Sequence, residues 1–236
     1  MDLFYFADYI VYPCEELKRL SKTRIQAKAK EFVINDPWQV SKLYPYKKKI
    51  EKEIFNICWF GATVNTYYLC NAMQQIANSS CINKSLRFII LGSSDTHLIL
   101  KKFMTSIEAP LWHIDYIKWN IEQQPEQLET ILSLSHIALI PSNPKDPNKK
   151  GVSHNRLVDA VRGGCIPVAS PMASYIELSK ISLIAYNCAS AIELAIKDYD
   201  RLCHKYSTLR PELIDRFNPK LNSRQWKSII KEIVAK

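Results

Sequence analysis

Four consecutive residues at the start of one predicted helix have the donor groups that an anion-binding site needs. They are Ser153, His154, Asn155 and Arg156, and Ser153 is the expected N-cap. The polar, lysine-rich loop 143–152 precedes them. Free N–H groups and the helix dipole both favour negative charge at a helix N-terminus. The pattern therefore predicts a site for a phosphate or carboxylate group.

Two charged residues of the same helix extend this prediction. Arg156 and Asp159 are three apart and can share a helix face. The forked guanidinium donors suit phosphate, whereas a carboxylate suits sugar or ribose hydroxyls. The alternatives are a local ion pair without a ligand and, for His154, an exposed residue at the helix start.

The surrounding elements alternate regularly from residue 54 onward. Short apolar runs predict parallel strands, and helical periodicity predicts the segments between them. The predicted strands are Ile54–Phe60, Leu86–Leu91, His113–Trp119, His136–Ile140, 166–169 and Ser182–Tyr186. The predicted helices are Thr63–Ala77, Asp95–Ile107, Pro125–Leu134, Asn155–Arg162, Ala189–Leu202, Glu212–Phe217 and Gln225–Val234, and Gly163-Gly164 ends the fourth. The fold class is α/β, a doubly wound parallel sheet over 54–205.

Ligands of such sheets lie beyond the carboxyl ends of the strands. Gly61 and Asn65 follow the first strand, and Ser142 follows the fourth. These three residues are therefore predicted to share one rim with the helix that begins near Asn155. Gly61 can let a ligand approach closely, or it is a plain strand-to-helix turn.

The two ends of the chain follow other patterns. Phe4–Val11 is strand-like, Glu15–Lys30 is a basic helix, and Glu31–Ile34 is a short strand. The first strand has no evident partner, so we expect it to join a sheet of residues outside this chain, another chain, or the edge of the following sheet. The predicted organisation is a remnant and linker over 1–53, the main domain over 54–205, and tail helices over 206–236.

Composition narrows the function classes. The 236 residues are 47% hydrophobic and carry a net charge of +9, which predicts an anionic partner. No Gly-rich dinucleotide fingerprint, P-loop or metal-ligand spacing of His and Cys occurs, and Asp198 and Asp200 do not face each other on a helix. The sequence contains no stripe of alternating basic and aromatic residues, so the positive charge does not indicate nucleic-acid binding.

Seven cysteines without a CxxC pair suggest a reducing, cytoplasmic location, and no signal peptide or membrane span is predicted.

The run SHNRLVDAVRGGCIPVASPMASYIEL, Ser153 to Leu178, resembles the nucleotide-sugar-binding half of GT-B glycosyltransferases of the family 4-like, group 1 type. The resemblance extends upstream through WFG…N at Trp59 to Asn65 and covers about Phe6 to Leu178. It implies a Rossmann-like GT-B C-terminal domain, a nucleoside diphosphate sugar as the donor, and no metal or other cofactor. Asp159 stands where the family has a ribose-binding Glu, and Gly151 stands where the family has a second Glu.

The same resemblance implies partners. A GT-B enzyme has a second domain that supplies most of the acceptor site. The chain is therefore expected to be a fragment of such an enzyme or to need a partner chain that supplies this domain, with an unidentified hydroxyl compound as the acceptor. Peripheral contact with the inner face of a membrane is a further expectation. The alternatives are a non-catalytic GT-B-like subunit and an enzyme similar to a nucleotide-sugar epimerase.

Overall fold

Six parallel strands form the central sheet in the computed structural model, which describes residues 7–22, 29–48, 54–79, 85–107, 112–120, 122, 124 and 126–235. The strands are β3 (Phe55–Phe60), β4 (Leu86–Gly92), β5 (Trp112–Lys118), β6 (Ile137–Ile140), β7 (Ile166–Ala169) and β8 (Leu183–Ile184). Their order in the sheet is β5-β4-β3-β6-β7-β8. Every pairing is parallel, which confirms the predicted doubly wound sheet.

Helices cover the sheet. They are α2 (Thr66–Ala77), α3 (Ser94–Met104), α4 (Gln127–Leu134), α5 (Asn155–Arg162), α6 (Ala173–Ile176), α7 (Cys188–Lys197), α8 (Tyr199–Ile214) and α9 (Pro219–Val234). The central strands β3, β6 and β7 are almost completely buried, because helices protect both faces of a parallel sheet.

A second, small sheet corrects the expectation for the first strand. β1 (Tyr9–Tyr12) pairs in parallel with β2 (Lys30–Val33), and α1 (Glu15–Lys22) lies between them in the chain. The partner of the first strand is therefore this chain's own next strand and not the edge of the main sheet. Residues 4–6 of that predicted strand and 23–28 of the predicted helix lie outside the described residues.

The segment 38–48, here called the connector, runs between the two sheets and packs along α5. The Tyr44 N–H donates to the Arg162 carbonyl at 2.7 Å, and the Tyr44 hydroxyl donates to Glu129 at 2.7 Å. The Arg210 guanidinium lies 4.5 Å from the centre of the Tyr46 ring. The connector therefore belongs to the packed structure of the main domain.

The tail helices differ from their predicted bounds. The predicted helix Ala189–Leu202 is two helices, α7 and α8, which meet at Asp198. α8 continues through Pro211, where the sequence predicted the new helix Glu212–Phe217, and ends at Ile214. A single turn, Asp215–Phe217, then leads into α9, which begins at Pro219 and not at the predicted Gln225. Buried side chains on both sides of the proline, Arg210 and Ile214, hold the helix together across it.

Candidate functional site

The crevice between the carboxyl ends of β3 and β6 is the place where this fold offers a ligand site. From β3 the chain proceeds to β4 and β5 on one side, and β6 lies on the other side, so the connections diverge at this point. Ligands of open parallel sheets bind at such a switch point. Gly61 follows β3, Ser142 follows β6 by two residues, and α5 begins after the loop that leaves β6.

Arg156 and Gly61 meet in this crevice. A Cβ added to Gly61 would lie 3.5 Å from the Arg156 Nη1 atom and 3.1 Å from the Trp59 ring. The missing side chain therefore leaves the space in which the guanidinium and the indole lie. The Arg156 Nη1 atom is buried and has no hydrogen-bond partner within the described part of the chain. A buried cationic donor without a partner is rare and suits an anionic ligand.

The N-terminus of α5 adds donors at the same place. The helix begins at Asn155, and its N-cap is His154, whose side chain makes no capping hydrogen bond. The prediction of Ser153 as the N-cap is therefore wrong by one residue. The first N–H groups of an α-helix have no partner inside the helix, and the dipole makes this end positive. Asn155 adds an amide whose Oδ1 atom is buried without a partner among the described residues.

His154 is buried, so the alternative of an exposed residue at the helix start is wrong. Its side chain is 1% exposed, and its Nε2 atom lies 3.1 Å from Glu177 Oε2. Burial is the main cause that lowers the pKa of His154. A neutral imidazole that donates from Nε2 presents Nδ1 as an acceptor, and this atom has no partner in the described structure. Glu177 also accepts a hydrogen bond from Arg216 at 2.7 Å.

Asp159 points away from Arg156, towards the connector. Its Oδ1 atom accepts hydrogen bonds from the backbone N–H groups of Gln39 at 2.7 Å and Val40 at 3.2 Å. The residue is 2% exposed, and burial raises the pKa of its carboxyl group to about 6. No ion pair joins it to Arg156, although the structure describes both residues. Its role in ribose binding stays a prediction.

The loop between β6 and α5 is attached to the start of α2. The Lys149 ammonium donates to Asn65 Oδ1 at 2.8 Å, and the Tyr68 hydroxyl donates to Asp146 Oδ2 at 2.5 Å. These two bonds fix the loop to the residues that follow the carboxyl end of β3. The structure therefore pairs the predicted residue Asn65 with Lys149, which the sequence indicated only as part of the lysine-rich loop 143–152.

The remaining predicted residues lie at the same rim. The Ser142 N–H donates to Ser170 Oγ at 2.8 Å, which joins the ends of β6 and β7. Ser153 is half-buried immediately before α5. The structure thus brings Gly61 and Arg156 together directly, whereas no hydrogen bond joins Ser142 to Arg156, both of which it describes. Glu177 and Arg216 were missed, because nothing in their sequence spacing relates them to His154.

Two further observations concern metal ions and membranes. Among the residues that the structure describes, no three His, Cys, Asp or Glu side chains lie close enough to hold a metal ion. None of the described helices is long and apolar enough to cross a membrane. Asp198 pairs with Arg201, three residues along α8, as expected for a solvated helix surface. The metal-free and cofactor-free character of the site stays a prediction.

Comparison with solved structures supports the fold. A glycosyltransferase from Rickettsia africae superposes with a TM-score of 0.70 at 13% identity over 99% of this chain and 65% of its own. The pneumococcal O-GlcNAc transferase GtfA, solved with UDP and GlcNAc, superposes with a TM-score of 0.68 at 12% identity, over 99% of this chain and 47% of its own. Anabaena HepE, solved with UDP, superposes with a TM-score of 0.65 at 14% identity, over 98% of this chain and 65% of its own. No protein-family model and no curated protein sequence matches this chain.

These comparisons establish a GT-B glycosyltransferase fold, and the arrangement of strands and helices is that of its Rossmann-like C-terminal domain. The chain spans less than two thirds of the length of each of the solved chains above. Membership of the family 4-like type stays a prediction, since identities of this size define the fold alone.

Proposed function

We propose that this chain is the donor-binding half of a glycosyltransferase that moves a sugar from a nucleoside diphosphate to a hydroxyl acceptor. The observation that carries the proposal is the buried Nη1 atom of Arg156 beside Gly61 at the switch point of the sheet, an atom without a hydrogen-bond partner among the described residues. Such a donor fits a diphosphate. Two solved proteins of the same fold contain UDP, which agrees with this ligand class.

In this proposal the phosphates lie at the start of α5. The N–H groups of Asn155 and Arg156 donate to phosphate oxygens, and the guanidinium neutralises part of their charge. When the bond between sugar and diphosphate breaks, negative charge accumulates on the leaving diphosphate. Donors that are already in place stabilise that charge without reorganisation, which is how a site of this kind accelerates transfer.

Other rim residues have supporting roles. Lys149, held by Asn65, places a second cation above the crevice. Neutral His154 offers Nδ1 as an acceptor for a hydroxyl group of the donor. Ser142 and Ser153 are the remaining polar groups of the proposed donor site. The ribose contact of Asp159 would require a carboxylate oxygen that is not already bonded to the connector.

Titration calorimetry with UDP and GDP tests the proposal. We expect one of the two nucleotides to bind, and Arg156→Ala to weaken that binding at least about tenfold, since a charge-assisted hydrogen bond contributes about 1.5–3 kcal/mol. Arg224→Ala is the matched control, because it removes the same charge from the exposed surface of α9. A folded protein that binds neither nucleotide would refute the proposal.

Gly61→Val provides an independent probe of the same crevice. The added side chain must meet the Trp59 ring and the Arg156 guanidinium, and the fully buried indole has no room to move. We expect nucleotide affinity to fall about tenfold or more while the circular dichroism spectrum is unchanged. Nucleotide binding that survives both Gly61→Val and Arg156→Ala would place the ligand elsewhere.

We further propose that a partner chain supplies the acceptor domain. One solved protein of this fold is a complex of GtfA and GtfB, which agrees with a two-chain arrangement. Sugar transfer from UDP- and GDP-sugars should require co-expression with a second α/β chain. Donor turnover without any acceptor would instead favour the epimerase-like alternative, and nucleotide binding without turnover would favour the non-catalytic subunit. The cytoplasmic location and the peripheral membrane contact stay predictions.

A further inference from the structure

A second cleft lies at the carboxyl ends of β6 and β7, on the side of α2. Its volume is about 260 Å³. It adjoins the crevice through Ser142, which also belongs to the proposed donor site. Its lining includes Tyr67, Tyr68, Asn71, Gln75, Asn143 and Tyr186. Neither Arg156 nor the start of α5 lines it.

Two tyrosines of this lining are much more exposed than most aromatic residues of the chain. Tyr67 is 69% exposed and Tyr186 is 74% exposed. Neither ring is needed to fill the core. An exposed aromatic ring leaves a flat apolar face beside a polar hydroxyl group, and such faces are common in ligand and partner sites.

The tyrosine wall on α2 is held in place. The Tyr68 hydroxyl donates to Asp146 at 2.5 Å, and the Lys149 ammonium lies 5.8 Å from the centre of the Tyr68 ring. Tyr67 packs edge-on against Tyr68, with ring centroids 6.0 Å apart at 70°. A ring that is already oriented loses little entropy when a ligand stacks on it.

The polar groups of the lining are all uncharged. Asn71, Gln75, Asn143 and Ser142 supply amide and hydroxyl donors and acceptors, and no charged side chain lines the cleft within the described structure. Gln75 is positioned by the hydrogen bond that its Oε1 atom accepts from the Cys188 N–H at 2.8 Å. In a chain with a net charge of +9, an uncharged cleft does not fit a phosphate or a nucleic acid.

We propose that this cleft binds a neutral saccharide. A sugar ring has C–H faces that stack on tyrosine and a rim of hydroxyl groups that both donate and accept hydrogen bonds, as amide side chains do. The cleft offers tyrosine rings for the C–H faces and amide side chains for the hydroxyl groups, and none of the side chains that line it is charged. The identification of this saccharide as part of the acceptor rests on the proposed function, whereas saccharide binding itself does not.

Saturation-transfer NMR on the full chain tests the proposal. The probes are glucose, galactose, mannose and N-acetylglucosamine with their β-1,4-linked disaccharides, and glucose 6-phosphate serves as the charged comparison. We expect at least one neutral probe to bind, and Tyr186→Ala and Tyr67→Ala each to raise its Kd at least about fivefold, since stacking on an aromatic ring contributes about 1 kcal/mol or more. Trp226→Ala is the matched control, because it removes an aromatic ring that is 45% exposed on α9.

UDP and GDP titrations of the same variants separate the two proposals. Nucleotide affinity should be unchanged in Tyr186→Ala, and saccharide affinity should be unchanged in Arg156→Ala. Absence of binding by every neutral probe, or binding that survives both tyrosine variants, would overturn the saccharide cleft and leave the donor site standing. Saccharide binding without nucleotide binding would support the cleft and refute the proposed function.

Discussion

Two arginines on the short helix α5 have different roles, because packing gives hydrogen-bond partners to one of them and not to the other. Arg162 donates to the carbonyls of Val40 and Ser41 at 2.8 Å each, and its guanidinium lies 3.7 Å from the centre of the Trp38 ring. Its donors are therefore used by the connector. Arg156, six residues earlier, has a buried Nη1 atom that meets no such partner in the described part of the chain. Arg162 therefore fixes the connector, whereas Arg156 is available to a ligand.

Asp159 should make the stability of the protein depend on pH. Burial raises the pKa of its carboxyl group to about 6, above the value of about 3.9 in an unfolded chain. The folded state therefore binds the proton more tightly. The stability contributed by the protonated group is fully present below about pH 4 and is lost as pH rises through about 6.

We expect Asp159→Asn to remove this dependence. The amide oxygen can still accept from the Gln39 and Val40 N–H groups, but it does not titrate. Between pH 5 and pH 8 the wild type should lose about 1 kcal/mol more of its free energy of unfolding than the variant does, measured by urea denaturation. Asp200→Asn, on the exposed surface of α8, should behave as the wild type. Equal pH slopes for the wild type and Asp159→Asn would contradict the prediction.

At the scale of elements, the turn between α5 and β7 fixes the path of the connector. Gly163 is the C-cap of α5, and Gly164 has a φ of +79°, a backbone conformation that residues with a Cβ atom rarely adopt. A Cβ added to Gly164 would also overlap the backbone carbonyl of Pro45 in the connector. The glycine is therefore required both by the turn and by the segment that crosses it.

Gly164→Ala should destabilise the protein by about 2–4 kcal/mol, since left-handed backbone strain adds to a backbone overlap. Gly151→Ala is the comparison: its added Cβ would meet the Leu17 side chain, whose methyl groups can move, and no positive φ is involved. Gly151→Ala should lower the free energy of unfolding distinctly less than Gly164→Ala does. Thermal unfolding followed by circular dichroism measures both, and equal losses in the two variants would refute the role assigned to the Gly164 turn.

The central strands of the sheet were predictable from sequence because each is a short, mainly apolar run bounded by polar or turn residues. The predicted strands Ile54–Phe60, Leu86–Leu91 and 166–169 agree with β3, β4 and β7 to within one residue at either end. Ser182–Tyr186 is reduced to the two residues of β8, because its one partner strand, β7, ends at Ala169, opposite Ile184.

The candidate site was predictable in part. Gly61 and Arg156 follow from the rule that ligands lie beyond the carboxyl ends of parallel strands. The partners of Asp159 were not predictable, because they lie in the connector, 119 and 120 residues away, in a segment without periodicity. The cleft of Tyr67 and Tyr186 was missed for the same physical reason: no sequence pattern relates two exposed tyrosines of separate elements.

At the scale of the whole molecule, the small sheet and the last helix stabilise each other. A parallel sheet of two strands has little stability alone. Here the Lys30 ammonium of β2 lies 2.6 Å from Glu232 Oε1 of α9. Next to β2, the backbone carbonyl of Asn35 accepts a hydrogen bond from the side-chain amide of the buried Asn222. The side-chain amide of Asn35 in turn donates to the Pro13 carbonyl at 3.1 Å. This relay joins α9 to the ends of both strands.

Asn222→Ala should therefore loosen the small sheet and leave the main sheet intact. The variant leaves the partly buried Asn35 carbonyl without its donor, a loss of about 1 kcal/mol. Hydrogen exchange should accelerate at the Ile34 N–H, which donates to the Tyr12 carbonyl at 3.0 Å, while the amides of β6 and β7 keep their protection. Ser223→Ala, the next and exposed residue of α9, is the matched control and should change neither sheet. Faster exchange in β6 and β7 to the same degree as at Ile34 would show that the two sheets open together, and the relay through Asn222 would then not be a separate cooperative unit.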